Sequence, residues 1–82
     1  MIKETGFAIL LASPSEYDQL VAEIYCDGLF VALISQEVGP GVFQIETPGP
    51  DVQEAEIRRS VELSGFLKAV EDACRRLKGE KL

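Results

Sequence analysis

The chain has 82 residues, of which 46% are hydrophobic and 27% are charged, and its formal net charge is −6. A chain of this length forms one domain, here residues 1–82, and this composition excludes global disorder. The acidic excess lies in residues 1–50, which hold one basic and seven acidic side chains, whereas residues 51–82 hold seven of each. Such a surface repels phosphate, so we expect no nucleic-acid partner and no binding to an anionic membrane.

The sequence contains two cysteines and no histidine, and its longest apolar runs are short. Two thiols form neither a disulfide framework nor a zinc site, and nucleophilic catalysis lacks its usual base. We therefore expect no metal and no cofactor. The apolar run at residues 7–12 is too short for a signal peptide, and no segment approaches the ~20 apolar residues of a membrane span. These features predict a cytoplasmic protein.

Two apolar runs, residues 20–26 and 29–36, flank the dipeptide Asp27-Gly28. Asp-Gly is favoured in type I′ turns, so the sequence predicts a tight hairpin in which Cys26 faces Leu29. Because side chains alternate along a strand, one face of this hairpin is wholly apolar and is expected to form the core. Its members are Leu20, Ala22, Ile24, Cys26, Leu29, Val31 and Leu33.

The segment before the hairpin allows more than one interpretation. Residues 6–12 are apolar on both faces, which predicts a strand that is either interior to the sheet or part of a subunit contact. Ser13 to Glu16 has the form of a helical capping box, so a helix over residues 14–25 is a competing possibility. We favour a single helical turn over residues 14–18 followed by a strand, because the residues that follow are rich in strand formers.

After the hairpin, residues 42–46 alternate between apolar and polar and predict a returning strand. A loop over residues 38–40 would place Gln36 opposite Val42 and Ile34 opposite Gln44. The Pro- and Gly-containing residues 47–50 end the sheet, and the polar residues 51–59 predict a loop that could include a helical turn.

The C-terminal region has the periodicity of an amphipathic helix, and Ser64 is the expected N-cap. Its apolar stripe comprises Phe66, Leu67, Val70, Ala73, Cys74 and Leu77. The apolar faces of the helix and of the hairpin must both be buried, and packing against each other buries both. The sequence therefore predicts an α+β fold: an antiparallel sheet of about four strands, a meander around a 20–35 hairpin, with one C-terminal helix packed on one face.

One helix covers only one side of a sheet, so the other side is expected to expose apolar side chains within a polar rim, as interface centres do. The candidate interaction residues on this outer face are Val21, Glu23, Tyr25, Phe30, Ile34, Gln44 and Glu46. We expect a small acidic, non-catalytic interaction protein. Its partner is either a second copy, giving a homodimer, or another protein, such as a basic one.

An alternative function uses Glu23 and Glu46, which the expected register places in one row on either side of Ala32. Two strand spacings separate them by about 9–10 Å, near the spacing of the carboxylates in inverting glycosidases. The alternative is thus a small hydrolase-like or ligand-binding subunit. A flat sheet offers no cleft that excludes water, so the interaction hypothesis is preferred.

Overall fold

The computed structural model describes residues 6–39, 41–50 and 53–79. Four antiparallel strands form one sheet in the order β1-β2-β3-β4, and helix α1 packs against one of its faces. The elements are β1 (Phe7–Ala12), β2 (Val21–Cys26), β3 (Leu29–Gly39), β4 (Val42–Glu46), a 3₁₀ turn (Glu54–Glu56) and α1 (Leu63–Leu77). The predicted α+β fold, a four-stranded meander with one C-terminal helix, is confirmed.

The central hairpin has the turn that its sequence predicts. Asp27 and Gly28 both have positive φ, 53° and 83°, as a type I′ turn requires. Cys26 faces Leu29 and Tyr25 faces Phe30, as expected. Farther from the turn a β-bulge shifts the register by one residue, because β3 contributes one residue more than β2.

The bulge reverses the faces of β3 beyond Val31. Ala32 now pairs with Ile24, so it joins Val31 on the side of the helix, and Ile34 follows it into the core. The prediction that Leu33 lies in the core and Ile34 on the outer face was therefore wrong. A pattern of alternating side chains carries no sign of an extra residue, and one such residue exchanges the two faces of the strand.

The β3–β4 register also differs from the prediction. Ile34 faces Ile45 and Leu33 faces Glu46, and β3 continues to Gly39, which faces Val42. The predicted pairs of Gln36 with Val42 and of Ile34 with Gln44 were wrong, because the pairing is irregular between Ser35 and Gly39. Part of the predicted loop, Pro40, lies outside the described residues. The bounds of β4 agree with the prediction.

Strand β1 lies at the edge of the sheet and pairs only with β2 among the described residues. The expectation that residues 6–12 are interior to the sheet and covered on both sides was wrong, whereas the subunit contact remains a prediction. The alternative prediction, a helix over residues 14–25, was wrong, because Val21–Cys26 form strand β2. Its connection to β1 contains a turn closed by the bond from the Tyr17 amide to the Pro14 carbonyl, 3.1 Å long.

Helix α1 is rotated slightly relative to the expected stripe. Ala69 and Ala73 are its buried residues, and Leu67, expected in the stripe, is 56% exposed. Two small side chains at the contact let the helix lie close to the sheet, while the larger Phe66 and Val70 pack at the margins of the core. The N-cap is Glu62 rather than Ser64, and its carboxylate accepts a bond from the Gly65 amide. This helix is not long and apolar enough to cross a membrane.

Both cysteines are free thiols on the core side of the molecule. Cys26 is buried in the sheet and Cys74 is half-buried on the helix. Burial raises the pKa of the Cys74 thiol, against a smaller opposing effect of Lys78. The described residues contain no group of three or more potential metal ligands of the Cys, Asp and Glu types.

Candidate interaction surface

The face of the sheet opposite α1 is the outer face, and strand pairing defines its rows. One row runs from Ala8 through Tyr25 to Phe30. The next row crosses all four strands through Leu10, Glu23, Leu33 and Glu46. Directly opposed side chains in a sheet are close enough to touch, so each row forms a continuous strip of surface.

One end of the outer face is covered by the connection between β1 and β2, residues 13–20. The Tyr17 hydroxyl reaches across to donate a 2.7 Å bond to Glu46 on the far strand. The Glu37 carboxylate accepts bonds of 2.9 and 2.8 Å from the amides of Asp18 and Gln19 and so holds the connection against β3. Val21, at this end, is completely buried. Its predicted exposure as a contact residue was wrong, because the sequence did not show where the connection folds.

The rest of the outer face remains partly open, and we call it the open patch: Ala8, Leu10, Glu23, Tyr25, Phe30 and Leu33. Leu10 is 53% exposed, and Tyr25 and Phe30 are half-buried. The two aromatic rings meet edge to face with centroids 5.7 Å apart. The Tyr25 hydroxyl donates a 2.8 Å bond to Glu23, which orients a carboxylate beside the rings. The open patch thus combines fixed aromatic groups with acceptor oxygens.

Residues 53–60 do not lie over the open patch. Instead Ile57 forms a parallel bridge with Phe30, and the Arg58 amide donates a 2.9 Å bond to the Phe30 carbonyl. The Arg58 guanidinium pairs with Asp27 at 2.9 Å, which ties this segment to the hairpin turn. The segment therefore extends the sheet sideways where β4 has already ended, and it leaves the outer face of the hairpin open.

The predicted contact residues are distributed unequally. Glu23, Tyr25, Phe30, Gln44 and Glu46 lie on the outer face, as expected.

The other two predicted contact residues are not available for contact: Val21 is covered, and Ile34, 2% exposed, lies on the helix side. Sequence reasoning missed Leu10 and Leu33. The apolar character of both faces of residues 6–12 was the signal that could have identified Leu10.

The carboxylate row exists, although Leu33 rather than Ala32 separates its members. Glu23 and Glu46 both face Leu33, and each accepts a hydrogen bond from a tyrosine hydroxyl. Two clefts among the described residues lie away from this row. One of about 280 Å³ separates β1 from α1, and one of about 350 Å³ lies between β3, Pro48 and Phe66. Neither of these two clefts is lined by Glu23 or Glu46.

Comparison of the sequence with protein-family models and with curated proteins, and of the fold with solved structures, found no match. We therefore infer the function from the chemistry of the chain's own surfaces.

The two tyrosines of the outer face provide a test of this arrangement. The pKa values of Tyr17 and Tyr25 are raised, chiefly because each phenol donates to a carboxylate, Glu46 and Glu23 respectively, and only the protonated phenol can do so. The stabilisation is present below the ordinary pKa of 10.0 and is lost as the pH rises through the raised value.

We expect Glu46→Gln to move the pKa of Tyr17 towards its ordinary value and to leave that of Tyr25 unchanged, and Glu23→Gln to do the reverse. The chain has two tyrosines and no tryptophan, so alkaline titration followed by ultraviolet absorbance reports on these groups alone. Identical titration curves for wild type and both variants would contradict the hydrogen bonds described here.

Proposed function

We propose that this protein is a small non-catalytic interaction module that binds another protein through the open patch. The observation that supports the proposal is the exposed Leu10 beside the half-buried pair Tyr25 and Phe30, all on a face that the helix does not cover. Rigid aromatic groups with nearby hydrogen-bond acceptors are typical of the centres of protein interfaces.

The charge around the open patch favours a basic partner. Glu23 lies within it and Glu46 follows Leu33 in the same row, and residues 1–50 carry the acidic excess of the chain. A second copy would bring the same carboxylates to this face, and like charges at a contact are unfavourable. A protein that presents Lys or Arg side chains would be attracted by the negative potential of these carboxylates.

The hydrolase-like alternative has less support. Glu23 and Glu46 lie on an open sheet surface, and both are engaged by tyrosine hydroxyls. Catalysis by a carboxylate pair requires a site that encloses the substrate and limits water. The open patch offers an extended surface instead, which suits a macromolecular partner.

The test compares proteins captured from cell lysate by immobilised wild type and by two arginine variants. Phe30→Arg replaces one ring of the aromatic pair in the open patch by a cation, and Leu67→Arg is the control on the exposed side of the helix. We expect a basic protein that binds wild type and Leu67→Arg, and that binds Phe30→Arg with a loss of about 2 kcal/mol or more in binding free energy. Circular dichroism checks that all three are folded.

The proposal predicts that raising the salt concentration weakens this binding, since the attraction is partly electrostatic. It is contradicted if no captured protein distinguishes Phe30→Arg from Leu67→Arg. A wild-type dimer that dissociates only on the Phe30→Arg substitution would show instead that a second copy covers this face.

A further inference from the structure

Strand β1 forms one edge of the sheet, and no described residue pairs with its outer side. Its six residues, Phe7–Ala12, contain no charge and no proline, and they pair only with β2 among the described residues. Monomeric proteins commonly block such edges with charged side chains, prolines or bulges. The opposite edge, β4, has these features: an irregular pairing with β3, a terminal Glu46, and Pro48 two residues later.

The hydrogen-bond pattern shows which backbone groups of β1 are available. The Asp27 amide donates a 2.8 Å bond to the Gly6 carbonyl, so this opposed pair is a hydrogen-bonded one. Hydrogen-bonded and non-bonded pairs alternate along an antiparallel ladder. The residues that bond to β2 are therefore Ala8, Leu10 and Ala12. The amide and carbonyl groups of Phe7, Ile9 and Leu11 point to the open edge.

We propose that a second copy of this chain pairs with β1 in antiparallel orientation, so that the two sheets join into one of eight strands. A two-fold axis at Ile9 places Ile9 opposite its own copy and Phe7 opposite Leu11 of the second copy. Every outward-pointing residue of β1 then has an outward-pointing partner, and about six backbone hydrogen bonds form. Antiparallel pairing is the arrangement that gives a closed, symmetric dimer from a single edge.

The side chains of β1 fit a second copy of the same strand. Leu10 is 53% exposed on the outer face and Leu11 is 37% exposed on the helix face, so the added strand must be apolar on both sides to cover them. Most strands at a sheet edge carry polar residues on one side, whereas β1 is apolar on both.

The charges near this edge do not oppose pairing. The helix residues along the adjoining cleft are Lys68, Asp72 and Arg76, which carry both signs. The Asp72–Arg76 pair leaves two buried atoms, Asp72 Oδ1 and Arg76 Nε, without a hydrogen-bond partner among the described residues.

This dimer is separate from the proposed binding of a basic protein, and it stands whether or not that protein exists. Pairing about an axis perpendicular to the sheet keeps both helices on one side. The two open patches then lie next to each other on the opposite side, because Ala8 and Leu10 of each copy adjoin the junction. A dimer of this form would present one extended surface in place of two small ones.

The first test compares Leu11→Pro with Leu11→Ala by light scattering. Both variants lose the same side chain, but only proline removes the outward amide, and an edge strand tolerates proline at such a position. Wild type is expected to be a dimer at high micromolar concentration. We expect Leu11→Ala to remain largely dimeric and Leu11→Pro to dimerise at least about tenfold more weakly, since two intersubunit hydrogen bonds are lost. Phe30→Arg, far from the edge, should leave the dimer intact.

A second test fixes the register and does not depend on the proline variant folding. Ala8 of one copy faces Leu10 of the other in a non-hydrogen-bonded pair, with Cα atoms about 4.5 Å apart, within the range of a disulfide. An equimolar mixture of Ala8→Cys and Leu10→Cys chains should form the 8–10 intersubunit disulfide on mild oxidation, identified by peptide mapping. Either variant alone should not form a link through its new cysteine, because identical positions are offset along the strands.

Three results would overturn the proposal: a wild-type protein that is monomeric at high micromolar concentration, equal dimerisation by folded Leu11→Pro and Leu11→Ala, or no 8–10 link in the mixture. Loss of the dimer in Phe30→Arg together with a missing link would assign self-association to the open patch. Failure to capture a basic protein, in contrast, would contradict only the proposed function.

Discussion

Ile34→Ala is expected to lower the free energy of unfolding by about 2–5 kcal/mol, the range for truncating a fully buried aliphatic side chain. Ile34 is 2% exposed and belongs to the core cluster with Ile24, Ala32 and Ala73. Its replacement leaves a cavity under the helix that the surrounding strands cannot fill without losing their pairing. Chemical denaturation measures the change as a lower midpoint with little change in slope.

Leu33→Ala is the matched control, because it removes a similar side chain from the adjacent residue of the same strand. Leu33 is half-buried on the outer face, so we expect a loss of about 1 kcal/mol. The difference between the two variants measures the consequence of the bulge, which exchanges the faces of these residues. If Leu33→Ala were more damaging than Ile34→Ala, the bulge between Ile24 and Tyr25 would be misplaced.

Ala73→Glu is expected to destabilise the protein by more than about 3 kcal/mol. Ala73 is completely buried where α1 crosses the sheet, so a carboxylate there would be placed among the apolar side chains of the core. The helix would have to move away from β2 or bury an unpaired charge. Thermal and chemical unfolding followed by circular dichroism should both show the loss.

Leu67→Glu provides the comparison on the same helix. Leu67 is one of the most exposed large apolar residues, so glutamate should change the free energy of unfolding by no more than about 0.5 kcal/mol. Similar losses in both variants would mean that the helix faces the sheet through the stripe expected from sequence, with Leu67 inward. The pair of variants therefore determines the rotation of α1 about its axis.

The hairpin shows how much of the strand pairing can be predicted from local sequence in this protein. Asp27-Gly28 defines the type I′ turn and the first two residue pairs, because positive φ at both turn positions is a property of those residues alone. The next pair, Ile24 with Ala32, depends on the bulge, which changes the register by one residue. The sequence prediction accordingly assigned Phe30 to its correct face and Ile34 to the wrong one.

The candidate surface shows the same limit. Tyr25, Phe30 and Glu23 could be placed on the outer face from alternation and the turn. The burial of Val21 could not be predicted in this way. It depends on the connection that Tyr17 holds against Glu46, a contact between residues 29 positions apart. Nothing in the composition of residues 13–20 indicates over which face of the sheet they fold.

Four features could be predicted from the amino-acid sequence alone: the α+β class, the position of the hairpin, the strand at residues 42–46 and the C-terminal helix. These follow from turn chemistry and from periodicities of two and 3.6 residues, which act over short distances along the chain. Three other features became apparent from the packed fold: β1 is an edge strand, α1 meets the sheet through Ala69 and Ala73, and the open patch contains Leu10 and Leu33. Those outcomes depend on contacts between distant segments, where one extra residue in a strand or one folded connection changes which side chains reach the solvent.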